Sequence, residues 1–554
     1  MKGYEKYKKQ FFLPPQMSFD WSKADSLNKA PIWCSVDLRD GNQALVNPMS
    51  LEEKLEFFQI LVALGFKEIE VGFPAASETE FNFVRTLIED NLIPEDVTIQ
   101  VMSQMREHIM RRTFESLQGL SKAIVHLYNP ISVAQREQVF VKSKEEIKQI
   151  ATNGANTFFD LCQEFGVNYS MEYTPESFTG AEIDFALDIC NSVLDILTPT
   201  SCCKHIINLP ATMEHSMPHI YAAQVEYMSR NLNYRENIIL SLHPHNDRGC
   251  AVADAEMGLL AGAERVEGTL FGNGERTGNV DLVTLALNLY SQGIDPQLDF
   301  SDIPSLVNHY EHLTHMTVDD RSPYSGKLVF ASFAGSHQDA IAKGLKWREE
   351  HDCPFWNVPY LPIDPTDVGR EYETDVIRIN SQSGKGGIAY LLEHYYQIIL
   401  PLPLRSVVSA TIKNISDHKH TELTAKEVYD SFCKKFVNIN TPLELLDFHF
   451  NLGKVIMVTV YLRYQGKTHQ FVASANGHLD AVSNALHDNL AIDFHDLTYH
   501  EHAIGSGTDT QAISYVSITA PNGKVHWGVG IQDDIITSSV YALISAVNHQ
   551  LLSQ

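Results

Sequence analysis

"SLEEKLEFFQILVALGFKEIEVGF" (50–73) decides the fold. Ser50 followed three residues later by Glu53 is a capping box that opens a helix. Leu55, Phe58 and Val62 form an apolar stripe at helical spacing, and Gly65 is a stop signal. "FKEIEVGF" then begins at once, a short run of the residues that favour strands. A helix running straight into a strand is the working unit of a parallel sheet. The same rhythm extends in both directions. Strand-like runs recur at "PIWCSVDL", "VTIQVMS", "KAIVHLY", "VNYSMEY", "HIINLP", "NIILSLH" and "RVEGTLF", with amphipathic helical patterns between them. Eight such units over about 270 residues match the count and length of a (β/α)8 barrel, here residues 30–305. An open doubly wound sheet is the structural alternative.

The 554-residue chain is 44% apolar, with ample material for several cores. Its formal net charge of −27 excludes a general affinity for nucleic acid or an anionic membrane. An anionic substrate must then meet local positive charge at its site. The eight cysteines form no Cys-x-x-Cys pair and read as reduced thiols. "MKGYEKYKKQFFLPPQ" lacks the apolar stretch of a signal peptide, and no run reaches the eighteen or so apolar residues of a membrane span. A cytoplasmic protein is the expectation.

Residues 306–430 are more irregular and read as mainly helical linker subdomains. "NSQSGKGGIAYLL" (380–392) lacks the spacing of a nucleotide-binding phosphate loop. From 431 the pattern changes to three strands and a helix, twice over, with Asn522-Gly523 as a hairpin signal. This α+β unit (431–554) holds no metal-type cluster and reads as a binding or regulatory domain.

Barrel chemistry sits at the C-terminal strand ends. "SLHPHNDRG" (241–249) closes the seventh strand with two histidines two residues apart. Side chains at i and i+2 of a strand share a face, so His243 and His245 can converge. The other strand ends supply Asp37 to Gly41, His126, Ser170 to Glu172, Pro210 to Thr212, and "GNGERTGN" (272–279). Asp40 offers a carboxylate and Asn279 a carbonyl oxygen; with two imidazoles they suit a divalent ion with open positions. Taken singly, Asp40 reads as a turn carboxylate and Asn279 as a helix cap; the joint pattern favours metal. Arg39 could stabilise a developing oxyanion or pair with Glu172. Thr212 is a helix cap or a donor to a substrate carboxylate. "GNGERTGN" does not have dinucleotide-fingerprint spacing.

"DLRDGNQA", "HPHNDRG" and "GNGERTGN", in that order, resemble the metal-dependent acyl-CoA-condensing barrels of the DRE-TIM metallolyase superfamily, and within it the 2-isopropylmalate synthase family. The resemblance continues through "INLPATMEHS", "GSHQDAI", "VPYLPIDPTDVGR" and "GSGTDTQA", so it covers nearly the whole chain. It implies condensation of acetyl-CoA with 3-methyl-2-oxobutanoate to give 2-isopropylmalate and CoA. It implies Asp40, His243, His245 and Asn279 as ligands of magnesium, manganese or zinc. Arg39, Glu172, His337 and Tyr360 are implied as catalytic. Arg39, His126, Ser170, Glu172, Pro210 and Thr212 are implied as substrate-binding, with His337 and Tyr360 completing the site in a homodimer. The C-terminal domain is implied to bind leucine as inhibitor, at Gly505, Gly507, Thr508 and Asp509. The sister condensing enzymes, citramalate synthase (pyruvate) and homocitrate synthase (2-oxoglutarate), are the nearest alternatives.

Overall fold

The computed structural model describes residues 3–332, 334–351, 353–372, 385–419, 423–505 and 510–553. They form two compact units. The first holds residues 1–329 and 363–371, the second residues 330–362 and 372–554.

The first unit is a closed barrel of eight parallel strands in sequence order: β1 (Ile32–Ser35), β2 (Glu68–Gly72), β3 (Thr98–Gln104), β4 (Ile124–Pro130), β5 (Ser170–Glu176), β6 (His205–Ala211), β7 (Ile238–Pro244) and β8 (Arg265–Gly268). Closure comes from β1 pairing with both β2 and β8, with Cys34 opposite Glu68 on one side and Glu267 on the other. The strands are covered by α1 (Leu51–Ala63), α2 (Glu78–Glu89), α3 (Glu107–Ser116), α4 (Lys144–Phe165), α5 (Ile183–Leu197), α6 (Pro218–Asn231), α7 (Ala251–Leu260) and α8 (Leu282–Tyr290). The capping box expected at Ser50 and Glu53 opens α1, and Phe57, Phe58 and Leu61 are its buried side. Because helices cover the sheet outside and side chains fill it inside, the outer face of the strands is mostly apolar. The inner face is different. Glu70, Gln100, His126, Glu172, Asn208, Arg265 and Glu267 are all buried in it.

β5 corrects one expectation. The sequence places Ser170 to Glu172 at the mouth end of the run "VNYSMEY". The strand instead continues to Glu176, with Asn129 of β4 opposite Pro175. Ser170 therefore starts β5 at the bottom of the barrel, where its hydroxyl donates to the Lys204 carbonyl. Glu172 lies mid-barrel, and the residues that reach the mouth are Thr174 and Glu176.

In the second unit, β9 (Leu443–Leu452), β10 (Ile456–Tyr464) and β11 (Lys467–Ala475) form one antiparallel sheet, followed by a helix at His478–Leu490. β12 (His495–Ile504), β13 (Gln511–Thr519) and β14 (Val525–Gln532) form another, followed by a helix at Ile535–Leu552. The expected βββα repeat is thus present. β13 is buried on both faces. Ile513 and Tyr515 join Trp527 and Val529 in a core with helices Lys385–Tyr396, Leu402–Lys419 and Ala425–Phe436, whereas Val516 and Ile518 pack against the two repeat helices. The helices expected to form a separate linker therefore share a core with the second repeat. Helix Ile535–Leu552 is long and apolar enough to cross a membrane, which the sequence reading did not anticipate; 61% of it is buried, as in a core helix.

Candidate active site and metal centre

At the top of β1 the chain makes a wide π-type turn, Asp37–Gly41, all of it buried. Such turns re-aim side chains and recur at functional sites. Asp37 fixes this one: its carboxylate takes the Ser35 hydroxyl at 2.7 Å and the Leu270 N–H at 3.0 Å. The turn delivers Arg39 and Asp40 into the mouth. There Asp40 Oδ2 lies 3.3 Å from Nε2 of His243 and 3.7 Å from Nε2 of His245. The two imidazoles converge as their i, i+2 spacing requires, with ring centroids 5.3 Å apart.

Asn279 lies in the loop after β8, beside the end of β7. It bridges to His245, and its amide donates to the Asn273 carbonyl at 3.1 Å. Glycines make that approach possible. A side chain on Gly278 would meet the Gly272 carbonyl at 1.8 Å, and one on Gly274 would meet Asn279 itself at 2.3 Å. Both also hold positive φ, 94° and 154°, which favours glycine.

The donor set fits a divalent cation. Oδ1 of Asn279 is buried without a hydrogen-bond partner, a costly state unless something accepts its lone pairs. Asp40, His243 and His245 also place one ligand atom each within 4.8 Å of one another. Electrostatics agrees. Burial favours the neutral carboxyl of Asp40, but Arg39, His243 and His245 together hold it well below the usual carboxylate range. Burial also disfavours a charge on His245 and, with His243 beside it, lowers its pKa to about 4, leaving a neutral ligand. His243 goes the other way without a cation: against its burial, Asp40 and Glu267 raise it to about 9. A cation bound at its Nε2 would take the place of that proton.

Beneath these residues lies a network that sequence reading missed. Glu267 accepts from His243 Nδ1 at 2.7 Å, from Asn208 at 3.0 Å and from Gln100 at 2.8 Å. Arg265, fully buried, donates to the Glu267 carboxylate at 2.9 Å and to Ser241 at 2.8 Å. Arg39 pairs with Glu70 at 2.5 Å and with Asp40 at 2.8 Å, not with Glu172. Glu70 also meets His126 Nδ1 at 2.6 Å, and His126 Nε2 meets Thr174 at 2.8 Å. The signal was available. Glu68 and Glu70, like Arg265 and Glu267, are i, i+2 pairs of charges within apolar strand runs, and such residues are rarely buried unless paired.

The mouth cavity, about 240 Å³, is lined by Arg39, Asp40, His126, Pro210, Thr212, His243 and His245 among the expected residues. Met102, Tyr128, Thr174, Glu176, Asn208 and Arg276 line it too. Ser170 and Glu172 do not, because β5 runs further than expected. Glu172 is instead a buried partner of Arg265 at 3.2 Å and of His126 at 3.4 Å. Burial, and then Glu267, raise its pKa to about 8. Thr212 accepts the Ser177 N–H at 2.9 Å, which leaves its own proton free to donate. Arg276 is committed to Asp247 at 2.8 Å and to the Thr212 carbonyl.

His337 and Tyr360 belong to the second unit, where their rings stack with centroids 4.0 Å apart. Gly505 ends β12 with φ 89°. Gly507, Thr508 and Asp509 lie outside the described residues.

Comparison with known proteins gives three consecutive family matches. They are an HMGL-like domain over residues 30–309, an alpha-isopropylmalate synthase post-catalytic domain-like region over 327–393, and a LeuA allosteric (dimerisation) domain over 422–551. A 2-isopropylmalate synthase of Desulfitobacterium hafniense is 60% identical over 548 residues, 99% of this chain and 98% of that one. One from Helicobacter hepaticus is 58% identical over 99% of both chains. One from Agrobacterium fabrum is 48% identical over 95% of both.

Proposed function

The chain belongs to the 2-isopropylmalate synthase family, and from that premise we propose how its barrel mouth joins acetyl-CoA to 3-methyl-2-oxobutanoate. The product is 2-isopropylmalate, with CoA released, at the entry to leucine biosynthesis. The observation that carries the reading is the convergence of Asp40, His243 and His245, with the backbone of Asn279 bridged to His245 and its side-chain oxygen unpartnered. We assign those four residues to a divalent cation: magnesium, manganese or zinc. Bound there, the cation supplies a Lewis acid that polarises the 2-oxo acid at its keto and carboxylate oxygens.

Arg39, held between Glu70 and Asp40, keeps a positive charge where the keto oxygen becomes an alkoxide. Thr212 donates its free proton to the substrate carboxylate. A base removes a methyl proton from acetyl-CoA, and the resulting carbanion equivalent bonds to C2 of the 2-oxo acid. The alkoxide takes up a proton, and water then cleaves the thioester to free CoA. We assign the proton abstraction to His337, with Tyr360 stacked upon it.

The substrate side chain faces the wall opposite the cation, made by Met102, Tyr128, Thr174 and Glu176. The substrate roles expected for Ser170 and Glu172 pass to Thr174 and Glu176, each four residues further along β5. This wall carries no permanent cation, and Glu176 would repel a second carboxylate, which disfavours 2-oxoglutarate. Pyruvate would leave the wall uncovered. A branched apolar side chain fits best.

The reading extends to regulation: the enzyme is a homodimer through its C-terminal domain, and leucine binding near Gly505 inhibits it. Its eight cysteines are all free, in keeping with a reducing compartment, and we place it in the cytoplasm. The test is mass-spectrometric identification of the product from acetyl-CoA and 3-methyl-2-oxobutanoate. 2-Isopropylmalate supports the reading; unchanged 2-oxo acid with metal-replete, folded protein rejects it.

A further inference from the structure

A second cavity, about 370 Å³, lies outward of the mouth on the β3–β4–β5 side. Gln104, Met105 and Arg106 bound it after β3, Tyr128 to Pro130 at the end of β4, and Ile147 and Ile150 on α4. Its far side is closed by Phe140. Two residues, Tyr128 and Glu176, line this cavity and the mouth cavity alike. They are the wall between them.

The closed order of the barrel sets β1 across from β5 and β7 across from β3. The proposed cation ligands, Asp40 just after β1 and His243 and His245 at the end of β7, therefore lie opposite this wall. Moving outward from them, one meets the chamber for the 2-oxo acid, then Tyr128 with Glu176, then the second cavity, whose apolar lining is Met105, Phe140, Ile147 and Ile150.

We propose that Tyr128 sets the upper length of the 2-oxo acid, and that the cavity behind it is a latent extension of the substrate side-chain pocket. The proposal rests on the condensing reaction assigned above. With the wall intact, 2-oxo acids much longer than 3-methyl-2-oxobutanoate have nowhere to put their chain. With the ring removed, a straight alkyl chain passes from the chamber into the space lined by Met105, Phe140, Ile147 and Ile150. Each methylene buried there raises kcat/KM about fourfold.

The test compares wild type, Tyr128→Ala and Tyr128→Leu, with CoA release measured on 3-methyl-2-oxobutanoate and on 2-oxooctanoate. The leucine variant keeps an apolar residue in place should the alanine variant fail to fold. The expected result is a shift of at least about tenfold in kcat/KM towards 2-oxooctanoate, with KM for acetyl-CoA unchanged. Adding Ile150→Trp, which fills the outer cavity, cancels the gain; a merely structural role for Tyr128 would not respond to that filling. An unshifted ratio in both folded variants overturns the proposal. So does a rise confined to KM for acetyl-CoA, which would make the cavity part of the thioester's path. Wild type that releases no CoA with 3-methyl-2-oxobutanoate overturns the parent reading, and this one with it.

Discussion

Oε2 of Glu267 lies 2.7 Å from Nδ1 of His243, and the opposite ring nitrogen faces Asp40. The carboxylate thereby fixes both the tautomer and the aim of a histidine that we propose as a metal ligand. Glu267→Gln keeps the shape and weakens the acceptor. It should lower affinity for the divalent cation about 10–100-fold, read by metal titration, with secondary structure retained. Unchanged affinity would detach Glu267 from the metal centre.

Arg39 is gripped by two carboxylates, Glu70 and Asp40, through different nitrogens. Lysine cannot reproduce that fork. Arg39→Lys should reduce kcat about a hundredfold or more while KM for the 2-oxo acid moves much less. Steady-state kinetics on metal-saturated protein decides it.

Glu172 tests the corrected β5. It lies under the mouth without lining it, and its burial beside Glu267 favours the neutral carboxyl near neutral pH. Glu172→Gln should therefore keep kcat/KM within about threefold, as expected of a near-isosteric neutral replacement away from the reacting atoms. Glu176→Gln, on the chamber wall, should relax discrimination against 2-oxoglutarate. If the Glu172 variant is the inactive one, the original assignment of that residue stands.

How much of this was legible follows from the range of each interaction. The helix opening at Ser50 and the pairing of His243 with His245 rest on fixed local spacings, and both stand as read. β5 misled because its run of strand-favouring residues gives out at Tyr173, whereas the ladder to β4 continues to Glu176 and is fixed by pairing rather than by local composition. Glu70, Gln100, Asn208 and Glu267 come from four different strands. Each is one polar residue in an apolar run, and only barrel closure makes them neighbours. Asn279 depends on a loop whose glycines look like ordinary turn residues until their missing side chains are seen to be what admits it.

His205 provides a pH test away from the metal. Buried at the bottom of β6, it accepts the Met171 N–H on Nδ1 at 3.0 Å. Burial lowers its pKa from 6.5 to about 4. An unfolded chain takes up the proton below pH 6.5, the folded one only near 4. The stability that neutral His205 contributes is thus fully present above pH 6.5 and is lost as pH falls to about 4, on the order of 3 kcal/mol in all. Urea unfolding of wild type and His205→Gln across that window should show a steeper loss for wild type.

Leucine should raise the thermal midpoint and inhibit CoA release, because a ligand that binds only the folded state stabilises it. Gly505→Val, at a position with φ 89°, should abolish the inhibition while leaving uninhibited activity. Inhibition that persists in the variant would move the leucine site elsewhere.

The most direct measurement is the rate of CoA release from acetyl-CoA with 3-methyl-2-oxobutanoate, pyruvate and 2-oxoglutarate, each on chelator-stripped and metal-restored protein. The account expects a strong preference for the branched 2-oxo acid, lost on chelation, recovered with a divalent cation in wild type and not recovered in Asp40→Asn. Preference for either other acid, or full activity in stripped protein, would contradict it.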